Sequence, residues 1–186
     1  MSFRQVVFLC SCIVAIVWFV PTPAAADSVN ITHLPQKKLS LEQKRRILDG
    51  ILEGETDAEG IDALGADKDK TLEGMEVRQV ALRQGAEIIV INTSVEVFNA
   101  NFMIRIYEKT RKGYRPLLGL PVLYVEMRGS STRGYKDLFC TSHNSSVTTN
   151  KSLFQYDGKK YQEVKCWQYE WRGGKQVKKA IQCDEK

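Results

Sequence analysis

Cys140-Thr141-Ser142-His143 is the one stretch of this chain that sets a nucleophile close to a base. A thiol attacks when a neighbouring imidazole takes its proton, and the pair must lie within hydrogen-bond reach. The spacing works against that chemistry: successive side chains of a strand point to opposite faces, so residues three apart diverge. The other histidine, His33, stands far away in a polar segment. No paired carboxylates occupy an apolar setting of the glycosidase kind. GxGxxG, P-loop, GxSxG and HExxH motifs are absent, as are the CxxC and HxxxH spacings of a zinc site. No catalytic, metal-ligating or cofactor-binding residue is therefore assigned. A small envelope enzyme using Cys140 and His143 stands as the alternative.

Contact chemistry is better supplied. Trp167, Tyr169 and Trp171 alternate along one strand-like run and share a face. An open face makes them a recognition stripe, since aromatics dominate contacts with other molecules; a closed one makes them core. Next to them lie two of the three cysteines beyond residue 26, which are Cys140, Cys166 and Cys183. An odd count in an oxidising compartment implies one bridge and one spare thiol. Cys166 and Cys183 flank the turn Arg172-Gly173-Gly174-Lys175. With Trp171 opposite Gln176, Cys166 faces Ile181, and Cys183 sits diagonally on the same face. A slight register change brings the sulfurs together. Cys166–Cys183 is the expected disulfide and Cys140–Cys166 the alternative.

The elements that must position these residues are legible from pattern. Residues 1–26 carry Arg4, the apolar run Val6–Val20, Pro21-Thr22-Pro23 and Ala24-Ala25-Ala26, the layout of a secretory signal cleaved after Ala26. A retained anchor would need about 20 apolar residues, more than this run offers. Leu9-Cys10-Ser11-Cys12 is a poor lipoprotein box. Residues 27–38 read as a flexible polar lead-in, and 39–186 as one α+β domain. Ser40-Leu41-Glu42-Gln43 is a capping box opening an amphipathic helix over 41–53. A short second helix is expected over 58–64. Asp67-Lys68-Asp69-Lys70-Thr71 departs from a calcium loop at Leu72 and Arg78 and reads as a charged loop.

Residues 75–183 are β-rich. Seven short runs are expected as strands: Ile88–Ile91, Phe102–Tyr107, Val122–Met127, Leu138–Thr141, Leu153–Tyr156, Tyr161–Trp171 and Gln176–Ile181. Asp157-Gly158 is the strongest hairpin signal. The fold class is α+β, mainly β: an antiparallel meander with the helix on one face. An echo between residues 86–115 and 135–162, with Tyr114 and Tyr161 in like places, suggests two repeated β units.

Gly134-Tyr135-Lys136-Asp137-Leu138, then Phe154-Gln155-Tyr156-Asp157-Gly158-Lys159-Lys160-Tyr161 and Cys166, resembles a family of small secreted bacterial proteins. That family carries a GYxDL strand followed by a YxFDGKxY…C hairpin. The resemblance covers about residues 79–170 and extends distantly to FG-GAP-type β repeats. It implies a β-rich fold and an exported address, and it assigns no reaction. The calcium loop of such repeats would need carboxylates before Glu87, and the matching stretch, residues 79–86, has none.

Charge excludes one class of partner. The chain carries 27 Lys+Arg against 22 Asp+Glu, a net charge of +5 that falls to +4 without Arg4. The basic residues are scattered pairs, whereas a nucleic-acid footprint is dense and concentrated on one element. The expectation is an exported, periplasmic or secreted, non-catalytic binding or inhibitor-like module. Its partner would be another envelope or extracellular protein. Membrane contact would arise only if the leader were retained or lipidated, as in an anchored structural envelope protein.

Overall fold

The computed structural model describes residues 28–54, 68–98 and 101–183. The leader over 1–26 and the helix expected over 58–64 lie outside them. Ser40 opens α1 (Leu41–Gly54) as a capping box should: Gln43 N donates to Ser40 Oγ at 3.2 Å, and Ser40 N donates to Gln43 Oε1 at 2.8 Å. Leu48 and Ile51 are buried on it, while Leu41, two turns before Leu48, stays exposed. The stretch expected as a charged loop is instead a short helix, α2 (Lys68–Gly74), because folding it seats Leu72 in the core beside α1.

Among the described residues ten strands follow the antiparallel meander: β1 (Val29–Asn30), β2 (Met75–Val80), β3 (Ile88–Phe98), β4 (Asn101–Thr110), β5 (Gly113–Val122), β6 (Tyr124–Thr132), β7 (Tyr135–His143), β8 (Thr148–Tyr156), β9 (Tyr161–Arg172) and β10 (Lys175–Ile181). The class is α+β, mainly β, as the pattern predicted. The meander is divided between two sheets, one ordered β2-β3-β4-β5 and the other β1-β6-β7-β8-β9-β10. Strands β1, β2 and β5 were not among the seven. In β5 the signal was masked by Pro116, Gly119 and Pro121, which this strand tolerates because it is the free edge of its sheet.

The segment expected as a flexible lead-in is built into the fold. Asn30 pairs with Glu126, Lys37 N donates to Val77 O at 2.8 Å, and Ile31 is completely buried between the sheets. Burying one isoleucine stabilises by about 1.5–3 kcal/mol, enough to hold a short segment in place.

Two cores result. Between the sheets lie Ile31, Ile88, Val90, Ile104, Ile106, Leu117, Val125, Leu138, Cys140 and Phe154; between the four-stranded sheet and the helices lie Ile89, Ile91, Tyr107 and Tyr114 with Leu48, Ile51 and Leu72. The layers are therefore helix, four-stranded sheet, six-stranded sheet. Helix α1 meets β5 through bare backbone. Gly113 has φ of 111°, and a Cβ there would fall 2.5 Å from the Gly50 carbonyl oxygen. Only glycine meets both demands.

Candidate functional site

The motif tyrosines are structural. Tyr135, Tyr156 and Tyr161 cluster between the sheets, with ring centroids 3.9 Å apart for Tyr135–Tyr156 and 6.4 Å for Tyr135–Tyr161. Burial raises the Tyr161 phenol, whose Oη donates to Lys136 O at 2.8 Å. The Asp157-Gly158 turn is closed by the Asp157 carboxylate, which accepts from the backbone N–H of Lys159 and Lys160 and from Gln162 Nε2. Those donors, the Lys160 amide first, lower its pKa to about 2. Glu87 pairs with Lys109 at 3.0 Å, whereas Asp137 accepts from the hydroxyls of Ser130 and Thr132 at 2.7 Å each.

Beside the tyrosines is a charged cluster that the sequence reading missed. Glu108 is nearly buried and receives Arg115 Nη2, Tyr135 Oη at 2.8 Å, and Arg83 at 3.7 Å. Arg83 Nη1 also donates to Tyr135 Oη at 3.0 Å. The signal was the phase of β4: Glu108 continues the inward alternation of Ile104 and Ile106. Two guanidiniums offset the charge of this carboxylate and a phenol donates to it, so it works as a clasp between β4, β5 and β7.

Cys140 and His143 stay apart. Cys140 lies between the sheets, free and fully buried, with its thiol pushed up by desolvation. His143 is in the opposite phase of β7, on the outer face, where its Nδ1 lies 3.5 Å from Thr149 Oγ1. Cys166 and Cys183 form the expected bridge, with Cα atoms 5.3 Å apart. Ile181 pairs with Cys166 and Gln176 with Trp171, the register read from the turn. Glu163 approaches both sulfurs, but the S–S bond removes the thiolates that a metal would need.

The outer face of the six-stranded sheet is the remaining candidate. The helices pack on the other sheet, and the principal contacts of β9 and β10 are with β8 and each other. Trp167 and Tyr169 are half-buried by their neighbours, and Trp171 is 59 % exposed. Phe139 joins them, its ring 5.7 Å from that of Trp167. Cations sit over these rings. Lys178 Nζ is 4.8 Å from the centroid of Trp167 and 5.7 Å from that of Tyr169, Lys151 Nζ is 5.1 Å from Tyr169, and Arg128 Cζ is 5.6 Å from Phe139. Of this arrangement only Trp167, Tyr169 and Trp171 were read from the sequence. Lys151 and Arg128 arrive from neighbouring strands, and their placement depends on register.

Among the described residues no helix is long and apolar enough to cross a membrane. No family model, curated protein or solved structure matches the chain.

Proposed function

We propose that this chain is an exported binding module that acts by contact through the outer face of its six-stranded sheet. One observation carries the reading: Trp167, Tyr169 and Trp171 line a sheet face on which neither helix packs, with Trp171 59 % exposed at its end. A large exposed aromatic loses apolar hydration only when something covers it, and such residues anchor protein interfaces. Export rests on the composition of residues 1–26, and the Cys166–Cys183 bond supports an oxidising destination. The separation of Cys140 from His143 favours contact over thiol catalysis.

Hydroxyl-radical footprinting of the tagged protein, purified and in extract of its own envelope, tests the reading. Trp167, Tyr169 and Trp171 should be several-fold less oxidised in extract, and Trp171→Ala should abolish the protection at Trp167. Equal oxidation in both settings refutes a binding role for this face. Mass spectrometry should find Asp27 as the mature N-terminus; an intact residue 1 on exported protein would favour an anchored one.

A further inference from the structure

We infer that the occupant of this outer face is an acidic protein surface, whose carboxylates meet Arg128, Lys151 and Lys178 and which covers Trp171. The inference deepens the proposed function and rests on it. The outward positions of β8, β9 and β10 alternate with those facing the core, and they carry Lys151, Lys165 and Lys178 with no carboxylate among them. The acids of β9, Glu163 and Glu170, occupy the other phase, where Glu170 pairs with Arg172 at 2.7 Å. Arg128, Lys151 and Lys178 have no ion-pair partner among the described residues, although each sits over an aromatic ring. The ring restrains the cation without neutralising it. Part of the ordering cost of binding an anion is therefore met before the partner arrives.

The same geometry separates a protein from other polyanions. Single-stranded nucleic acid binds sheet faces by stacking bases on bare rings. Here the rings of Phe139, Trp167 and Tyr169 are capped by cations, so a base or a sugar finds no free aromatic surface at the centre of the face. What the face presents outward is a set of spaced ammonium and guanidinium groups, with one carboxylate, Glu126, opposite Phe139 on β6, and one exposed indole, Trp171, at its rim. A flat pattern of that kind fits carboxylates set into another protein's surface, with an apolar site for the indole.

A glutamate-rich peptide containing one phenylalanine is the probe for the full exported chain, with oligogalacturonate and oligothymidylate of equal charge as competitors. Tryptophan emission should change on adding the peptide, and affinity should fall about tenfold between roughly 50 and 300 mM salt. Lys151→Ala combined with Lys178→Ala should weaken the peptide about tenfold while leaving the melting temperature within about 2 °C, because both side chains are at the surface. Trp171→Phe should retain binding and Trp171→Ala should lose it. The inference is overturned if the peptide does not bind, if the double lysine variant binds it as tightly, or if either competitor binds more tightly than the peptide. Should footprinting show the face protected in extract while the peptide fails, the binding role stands and only the acidic-protein assignment falls.

Discussion

Strands β3 and β9 are both long, antiparallel and flanked on either side, yet only one of them is covered on both faces. In β3, Ile88, Ile89, Val90 and Ile91 are all at most 2 % exposed, because even-numbered residues meet the six-stranded sheet and odd-numbered ones meet the helices. In β9, Cys166 faces inward, whereas Trp167, Tyr169 and Trp171 face outward. The hydrogen-bonding scheme is the same and the residue pattern is not. A continuous aliphatic run records two covering layers, and an alternating one records a single layer. Chemistry that needs a partner collects where the second layer is missing.

The sharpest way to break that comparison is to make a cavity on each of the two sheets. Ile89→Ala should cost about 2–5 kcal/mol, as expected for a residue packed between sheet and helices. Phe139→Ala, on the half-covered outer face, should cost about 1 kcal/mol despite removing more atoms. Urea denaturation of both variants checks this, and equal losses would mean that the outer face is as closed as the core.

Next in size is the bridge. Replacing Cys166 and Cys183 by serine together removes a covalent closure spanning 17 residues. The loss should be about 3 kcal/mol in the chain-entropy model. Hydrogen exchange should then rise in β10 and along the adjoining edge of β9 while β3 remains protected. Uniform acceleration would show the two sheets to be one cooperative unit.

The smallest effect comes from the Asp157 turn. Its carboxylate is held at about 2 in the folded protein by backbone donors, below the ordinary aspartate value of about 3.9. A depressed pKa adds stability above the unfolded value, and that increment disappears as pH falls from about 4 through about 2. Asp157→Asn should lack this acid-dependent increment. Urea midpoints between pH 5 and pH 2 should fall less steeply for the variant than for the native chain, and parallel slopes would disprove the role. The group is at the surface, so the difference is small.

Local features were legible where one short segment determines them. The capping box of Ser40 and Gln43, the Asp157-Gly158 hairpin and the Trp171–Gln176 register all follow from neighbouring residues. Features that depend on distant segments were not. The inward phase of Glu108 matters only because Arg83, Arg115 and Tyr135 converge on it from three other places in the chain. Ile31 looks like one apolar residue in a polar stretch until the sheets close over it. The recognition stripe lies between these extremes. Its rings were visible as an alternation, but the cations above them come from β6, β8 and β10, and only pairing brings them there.

Among the described residues strand β10 ends its sheet with one side unpaired, and its seven residues include Lys175, Lys178 and Lys179. An open ribbon invites a second molecule to zip alongside it, the first step towards fibre growth. Two such edges brought together antiparallel would stack lysine against lysine, and that repulsion should keep the protein monodisperse at high concentration.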